Sequence, residues 1–314
     1  MELIRGRQNI SSSTKPSVVS IGNFDGVHLG HLQLIEMLHK EAHRAGVPAT
    51  VLTFDPHPHE FFSAATAPPR LSTFREKLEQ LSKAGVDKVV CLRFNALLAR
   101  TSAEDFVREY LINGLGVRAL IVGDDFRFGR NRNGDFTLLQ EMGRQAGFAV
   151  SSVETFIVDG HRVSSSRIRQ ILQDADFRLA ERLLGRPFAI SGRVRHGDKI
   201  GRTLGLPTVN LALKRLHSPL AGVFAVTVSG AGLTSQAGAA NMGDRPTVNG
   251  TENRLEVHLL DYSDASVGKD SLYGKHLTVA FRHYVRAEEK FADLDQLKTA
   301  IWQDVQAVRD YFEK

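Results

Sequence analysis

Two histidines, His28 and His31, stand three residues apart in the stretch GNFDGVHLGH (residues 22–31), directly after the apolar run VVSI (residues 18–21). Apolar residues then recur at helical spacing, which predicts a strand-to-helix turn with the helix beginning near Leu29. Residues three apart share one helix face, and a helix N-terminus offers free N–H groups and a positive dipole end. We therefore predict that both imidazoles belong to a phosphate-binding site. The simpler alternative is a pair of surface histidines.

Three further motifs contain residues suited to binding phosphates or flat rings. The loop DPHPH (residues 55–59) is predicted to form a stiff wall for a flat ligand, although prolines mark many structural loops. The segment GDDFRFG (residues 123–129) is predicted to line a pocket for a ring, the alternative being a packed connector. The segment SSSRIR (residues 164–169) caps a helix, and the arginines in and around it favour a second phosphate-binding helix start.

Five apolar runs recur at intervals of roughly 30 residues with helical segments between them, the spacing of βα units. This alternation predicts an α/β domain with a doubly wound parallel sheet. Asp135 is predicted to cap one of the helices and Gly147 to end it. Ligands bind beyond the carboxyl ends of such strands, and each of the four motifs follows a predicted strand. The strands are predicted at residues 18–21, 49–54, 88–94, 119–122 and 149–153.

The pattern changes after Arg186 and Pro187. Apolar residues then alternate with polar ones in short segments without intervening helices, which predicts a small antiparallel β-barrel. The chain closes with an amphipathic helix whose apolar positions run from Leu294 to Phe312 and are predicted to pack on the barrel. We therefore predict two domains, residues 1–185 and residues 186–314.

A glycine-rich segment opens the predicted barrel. Gly197, Gly201 and Gly205 lie within nine residues, and their backbone N–H groups could cradle phosphates. An ordinary barrel turn is the better explanation of the glycines alone. Thr208 and Asn210 sharpen the prediction, because residues two apart on a strand face the same side and offer two oxygens to a hard cation.

The first half resembles a known family. Its histidine stretch resembles the signature of the HxGH nucleotidylyltransferases, and the FDGV segment (residues 24–27) is similar to that of bacterial bifunctional riboflavin kinase/FAD synthetases. All four motifs follow that pattern in order over about residues 15–185. The resemblance implies adenylylation of FMN by ATP, with His28 and His31 as catalytic residues. It implies nucleotide binding by Gly22, Phe24, Gly30, Asp125, Arg162, Ser164, Ser165 and Arg169, and flavin binding by Pro56, His57 and Pro58.

The second half resembles the riboflavin kinases, starting with PTVN (residues 207–210), which matches their Pro-Thr-x-Asn motif. The resemblance implies phosphorylation of riboflavin by ATP, with Mg²⁺ serving both reactions. It implies Thr208 and Asn210 as metal ligands and nucleotide binding by Gly197, Gly201, Arg202 and Gly205. A ribityl hydroxyl must lose a proton in this reaction, so Glu256 is the candidate general base and His258 the competitor. The segment of residues 262–271 is longer than the corresponding segment in the riboflavin kinase pattern.

The composition limits the classes of protein to consider. The chain has 314 residues, 42% of them hydrophobic, one cysteine and a formal net charge of +5. A single cysteine excludes an internal disulfide and a Cys-x-x-Cys zinc site. The sequence shows neither a signal peptide nor a membrane-spanning run, so a cytoplasmic location is expected. The expected partners are small molecules, namely ATP, riboflavin and FMN, with no nucleic acid and no membrane; the sequence leaves the oligomeric state open.

Two rival functions remain at this point. One is a flavin enzyme with a single activity whose other domain only binds nucleotide, which the intact motifs in both halves disfavour. The other is a nucleic-acid-binding module, which the net positive charge and the predicted barrel suggest. The barrel aromatics alternate like core residues and no stripe of lysine or arginine is present, which argues against that module.

Overall fold

The computed structural model describes residues 1–10, 16–197, 205–213, 215–247, 250–262 and 272–314, and side chains within these except 244–252. The chain divides into two compact units. The first comprises Met1–Pro68 and Phe74–Ser165, and the second comprises Pro69–Thr73 and Ser166–Lys314.

The first unit is built on a sheet of six parallel strands. Their order is β1-β4-β3-β2-β5-β6, so the direction of winding reverses between β2 and β5. Ligands bind at such a switch point, beyond the carboxyl ends of the strands. The strands are β1 Glu2–Arg5, β2 Ser17–Ile21, β3 Ala49–Asp55, β4 Lys88–Arg93, β5 Val117–Gly123 and β6 Ala149–Val153, with a separate hairpin of β7 Ile157–Val158 and β8 His161–Arg162.

Helices cover both faces of this sheet. Asp135 Oδ1 accepts a hydrogen bond from the Leu138 N–H at 2.9 Å and caps α6, and Gly147 ends that helix at φ 79°, as predicted. The helices are α1 Leu29–Ala45, α2 Pro58–Phe62, α3 Phe74–Lys83, α4 Ala96–Arg100, α5 Ala103–Phe106 and α6 Phe136–Ala146, and α5 continues as a π-helix over Val107–Leu115.

The hydrophobic core of the first unit has two layers, because successive side chains of a strand point to opposite faces. Val51 of β3 lies in one layer with Leu38 of α1 and Leu81 of α3. Leu52, the next residue, lies in the other layer with Leu139 of α6. This burial on both sides explains why the strands have continuous apolar sequences.

The second unit contains a closed barrel of six antiparallel strands in the order β10-β13-β12-β11-β14-β9. Leu255, Val257 and Leu259 alternate along β13 and are all buried. The predicted alternation is therefore confirmed, and the residues between them occupy the opposite face. The strands are β9 Ala189–Arg195, β10 Thr208–Ala212, β11 Gly222–Gly230, β12 Leu233–Thr247, β13 Gly250–Leu259 and β14 His276–Arg286.

Within the described residues, three helices accompany the barrel: α7 Ser165–Gln173, whose first residue belongs to the first unit, α8 Phe177–Leu184 and α9 Leu294–Glu313. Val305 and Val308 of α9 are buried in a cluster with Leu206 of the barrel unit, as predicted. Leu294 and Phe312, at the two ends of α9, are exposed. A helix of this length spans about 30 Å, and its fully buried residues are Asp304, Val305 and Val308.

The sequence prediction of an α/β domain followed by a β-barrel and a final helix is confirmed. The structure adds β1, a short strand that pairs in parallel with β4 and was not predicted. Among the described residues, none of the helices is both long and apolar enough to cross a membrane.

Candidate active sites

The turn between β2 and α1 is organised by the two histidines. His28 is the N-cap of α1, and its Nδ1 accepts a hydrogen bond from the His31 N–H at 3.3 Å. In return, the Nδ1 of His31 accepts one from the His28 N–H at 3.4 Å. A reciprocal pair of this kind satisfies backbone donors at the start of a helix. The local sequence therefore both begins the helix and fixes the two rings.

The imidazole rings of His28 and His31 are stacked, with centroids 3.7 Å apart and planes 16° from parallel. Because each Nδ1 accepts a hydrogen bond, each neutral ring must carry its proton on Nε2. Two Nε2–H donors are thus held side by side at the positive end of a 17-residue helix. This arrangement suits an anion such as a phosphate.

The start of α7 is joined to the same turn. Ser165 Oγ donates a hydrogen bond to the Asp25 carbonyl oxygen at 2.9 Å, and Ser164 directly precedes it. A Cβ added to Gly30 would lie 3.4 Å from both the His28 ring and the Val163 carbonyl oxygen. The structure therefore brings Gly30, Ser164 and Ser165 to the histidine turn.

Arg162 and Asp125, which were predicted to bind nucleotide, form an ion pair and are both exposed. Asp125 follows β5, so this pair also belongs to the carboxyl edge of the sheet. Arg169 is described with the second unit, where its Nε donates to the Pro69 carbonyl oxygen at 2.6 Å. Phe24 is 1% exposed and packs in the core of the first unit.

The loop after β3 presents its two prolines on either side of a buried histidine. His57 is buried, whereas Pro56 and Pro58 are half-buried. The His57 N–H donates to Glu60 Oε2 at 3.0 Å, which ties the loop to α2. The prolines therefore form a rigid outer surface that is held from inside by His57.

Sequence reasoning missed an aromatic cluster next to this loop. Phe61 and Phe62 of α2 both contact Phe94, which follows β4, with ring centroids 5.5 and 5.7 Å apart. Phe62 is 69% exposed, an unusual position for a phenylalanine in a cluster. The signal was the pair Phe61 and Phe62 one residue after the proline motif, together with Phe94 directly after the neighbouring strand β4.

In the barrel, strand register aligns the predicted kinase residues. Glu256 of β13 lies directly opposite Asn210 of β10 on one side and Asn241 of β12 on the other. His258 lies opposite Thr208 in the next row on the same face. The structure therefore brings Thr208, Asn210 and Glu256 to one face of neighbouring strands and places Asn241 beside them.

A pocket of about 260 Å³ lies against this face of the barrel. Thr208 and Glu256 contribute to its wall, and α9 covers it with Leu297 and Ile301. The Asn241 Nδ2 donates to Glu288 Oε1 at 3.2 Å, and Glu288 is one of four carboxylates in the pocket wall. The polar residues lining it are Thr208, Asn241, Glu256, His258, Arg286, Glu288, Glu289 and Asp304.

Arg254 joins two of the predicted residues. Its Nε lies 3.0 Å from Asn210 Oδ1 and 2.5 Å from Glu256 Oε1. Arg254 was not predicted from the sequence, although it lies two residues before Glu256 and therefore on the same face of the strand. Gly197 is required for this arrangement, because a Cβ there would come within 2.6 Å of the Asn210 amide. Gly205 has φ 80°, and Gly201 and Arg202 lie outside the described residues.

Two further contacts define the walls of the pocket. His258 Nδ1 lies 2.9 Å from the Pro207 carbonyl oxygen, which can only accept, so this nitrogen carries a proton. Arg286 donates two hydrogen bonds of 2.7 Å to the buried carboxylate of Asp304 on α9. These hydrogen bonds raise the pKa of Arg286 above its ordinary value, against the lowering effect of burial. The guanidinium thus remains charged and holds α9 to β14.

Comparison with known proteins identifies the family. A family model described as FAD synthetase matches residues 10–167, and one described as riboflavin kinase matches residues 184–312. The bifunctional riboflavin kinase/FMN adenylyltransferase of Escherichia coli (strain K12) is 48% identical over 313 residues, covering 99% of this chain and 98% of that protein. The chain belongs to the bifunctional riboflavin kinase/FMN adenylyltransferase family. Its relative of that name from Pseudomonas fluorescens is 49% identical over 310 residues, covering 98% of this chain and 97% of that protein.

The similarity also holds at the level of structure. A crystal structure described as a macrolide-efflux protein from Streptococcus pneumoniae superposes with a TM-score of 0.78 at 27% identity. The superposition covers 98% of this chain and 99% of that one. The two family models and the curated relatives confirm the family and the two activities predicted from the sequence.

Proposed function

We propose that each unit works through the site described for it: the barrel converts riboflavin and ATP to FMN and ADP, and the sheet unit converts FMN and ATP to FAD and pyrophosphate. For the first reaction the supporting observation is the register that aligns Asn210 with Glu256 beside the pocket. For the second it is the stacked histidine pair at the start of α1.

Adenylyl transfer needs no general base, because the nucleophile is the FMN phosphate, which is already an anion at neutral pH. Its attack on the α-phosphorus of ATP releases pyrophosphate, so the protein has to position the two substrates and neutralise charge. We assign this to the Nε2–H groups of His28 and His31 and to the N-terminus of α1. Ser164, Ser165 and Arg162 are proposed to bind the remaining phosphate oxygens. The flavin ring is proposed to lie against Pro56, Pro58 and Phe62.

Phosphoryl transfer to riboflavin requires that the attacking ribityl hydroxyl lose its proton. We propose that the Glu256 carboxylate accepts this proton, since it lines the pocket beside Asn241 and Thr208. Arg254 pairs with Glu256 and keeps the carboxylate oriented. Asn241 and Glu288 offer further hydrogen-bonding groups for the ribityl chain.

The residues of the kinase site fit a magnesium ion. The Thr208 hydroxyl and the Asn210 amide oxygen are hard oxygen donors on one strand face, and Asn210 Oδ1 already accepts from the guanidinium of Arg254. Among the described residues, no group of three or more histidine, cysteine or acidic side chains could hold a metal. Phosphate oxygens and water would therefore complete the ligand set, as is usual for Mg²⁺. The ion would neutralise phosphate charge.

Replacing the two proposed ligands, Thr208→Ala with Asn210→Ala, is expected to raise the Mg²⁺ concentration needed for half-maximal riboflavin phosphorylation by about 10–100-fold. FAD formation from supplied FMN should not change. Thr278→Ala, an exposed threonine on β14, is the matched control. An unaltered Mg²⁺ titration in the double variant would remove these residues from the metal site.

The second compact unit starts before the predicted domain boundary. Phe177 of α8 contacts Phe224 and Phe281 of the barrel with ring centroids 5.8 and 6.3 Å apart. We expect residues 186–314 to phosphorylate riboflavin without forming FAD. A fragment of residues 166–314 should do the same with a higher unfolding midpoint in urea, since losing a buried phenylalanine costs about 3–5 kcal/mol. If circular dichroism shows both fragments to be folded but neither phosphorylates riboflavin, the kinase assignment is refuted.

The experiment that tests the whole proposal is incubation of the protein with riboflavin, ATP and Mg²⁺, followed by separation of the flavins. We expect FMN to appear first and FAD after it. Accumulation of FMN without FAD would support the rival in which the sheet unit only binds nucleotide. Absence of both products would refute the proposal.

A further inference from the structure

Lys77 is the one charged residue among the largest fully buried side chains of the described part of the chain. It lies on α3 four residues before Leu81, so both point from the same helix face into the core of the first unit. Burying an ammonium is costly unless it is paired and hydrogen-bonded. The hydrogen-bond partners of the Lys77 ammonium therefore indicate why a lysine occupies this buried position.

The ammonium of Lys77 touches two polar side chains of the β3 region. Its Nζ lies 3.0 Å from His57 Nε2 and 3.4 Å from Thr53 Oγ1. An ammonium only donates hydrogen bonds, so the Thr53 hydroxyl accepts from Lys77. The Thr53 hydroxyl in turn donates to the carbonyl oxygen of Asn23 at 3.3 Å. A continuous chain of hydrogen bonds thus runs from His57 through Lys77 and Thr53 to Asn23.

This chain connects the two loops that carry the proposed substrate contacts. His57 lies between Pro56 and Pro58, on the flavin side of the site. Asn23 belongs to the turn that carries His28 and His31, on the nucleotide side. Both loops follow neighbouring parallel strands, β3 and β2. Lys77 therefore contacts His57 of the first loop directly, and it reaches the backbone of the second loop at Asn23 through the Thr53 hydroxyl.

We propose that Lys77 is a positioning residue of the FMN adenylyltransferase site, holding the proline-bracketed loop at His57 and the histidine turn at Asn23 in one fixed arrangement. This inference rests on the proposed function, since it gives Lys77 a role in that reaction. Lys77 itself is not a catalytic residue, because it is buried beneath the loops. Misplacing reacting groups by about 1 Å can cost about 100-fold in rate.

Positioning and simple stabilisation predict different results for Lys77→Met. Methionine has a similar length and no charge, but it leaves Thr53 and His57 without the hydrogen bonds of Lys77, so the variant is assayed at a temperature where circular dichroism shows it folded. We expect the variant to remain folded while its KM for FMN rises about 10-fold or more and its kcat/KM for FAD formation falls about 100-fold. Riboflavin phosphorylation by the same molecules should stay at the wild-type rate.

Two other variants sharpen the test. Thr53→Val removes the hydroxyl that links Lys77 to Asn23 and leaves the contact between Lys77 and His57 in place, so we expect it to raise the KM for ATP in FAD formation more than the KM for FMN. Lys83→Met, an exposed lysine on the same helix, is the matched control and should leave both constants unchanged. In the Lys77→Met/Thr53→Val double variant the losses should be less than additive, as expected for residues of one network.

The outcomes separate this inference from the function on which it rests. A wild-type protein that forms no FAD would refute the adenylyltransferase proposal itself. A wild-type protein that forms FAD, together with a Lys77→Met variant whose KM for FMN and kcat/KM are unchanged, would overturn only the role of Lys77. If Lys77→Met loses its thermal unfolding transition, Thr53→Val decides, and an unchanged KM for ATP in that variant overturns the inference.

Discussion

Replacing both His28 and His31 by alanine is expected to lower the rate of FAD formation from FMN and ATP by at least about 10²–10³-fold, the usual cost of losing even one group that stabilises the transition state. The change removes two Nε2–H donors held at the N-terminus of α1 and leaves the backbone donors of that helix with Ser164, Ser165 and Arg162. The measurement is the initial rate of FAD formation at saturating FMN and ATP.

The controls must separate chemistry from helix capping, because His28 also caps α1. Loss of an N-cap costs about 1 kcal/mol of stability, so the variants need to be compared at a temperature where all of them are folded. His28→Asn keeps a capping acceptor and removes the imidazole donor, and we expect it to be nearly as impaired as His28→Ala. His43→Ala, an exposed histidine of the same helix, should be silent.

The same protein supplies a further control, since riboflavin phosphorylation in the barrel should be untouched by the histidine substitutions. A folded double variant that makes FAD at the wild-type rate would show that the two histidines are surface residues of an ordinary turn.

Glu256→Gln is expected to lower riboflavin phosphorylation by roughly 100-fold or more, the scale for loss of a general base. Glutamine keeps the size of the side chain and an oxygen that can accept from Arg254, but it cannot take up the ribityl proton. Binding of riboflavin and ATP should persist, because the walls of the pocket are unchanged. The measurement is the initial rate of FMN formation, with riboflavin binding followed by its fluorescence.

His258 is the competing base, and its hydrogen bond indicates which ring nitrogen carries the proton. Its Nδ1 donates to the Pro207 carbonyl oxygen, which leaves the Nε2 lone pair of a neutral ring available to accept a proton. His258→Ala should therefore affect the kinase less than Glu256→Gln if the carboxylate is the base. The reverse order, with Glu256→Gln largely active and His258→Ala inactive, would assign the base to His258. FAD synthesis from supplied FMN should be normal in both variants.

Sequence reasoning was successful where the signal is local. Strand and helix periodicity, the cap at Asp135 and the stop at Gly147 depend on neighbours within a few residues, and the structure confirms them. The contact between His28 and His31 is also local, because residues three apart in a first helical turn must meet. Alternation in β13 correctly separated Glu256 from the buried Leu255 and Val257.

Tertiary structure alone decided which distant residues face each other. The pairing of Asn210 with Glu256 and Asn241 depends on barrel register, and a slip of one residue would turn every side chain to the other face. The Lys77 contact with His57 depends on how α3 packs on β3, which no local pattern encodes.

The sequence by itself therefore determined the fold class, the order of the two units and the turn that carries the histidine pair, because these follow from short-range periodicity and capping. The tertiary structure decided that Phe24 is a core residue, that Phe62 is exposed, and that Arg254 joins Asn210 to Glu256. Burial and long-range pairing depend on the summed packing of many elements, so residue type and spacing alone cannot specify them.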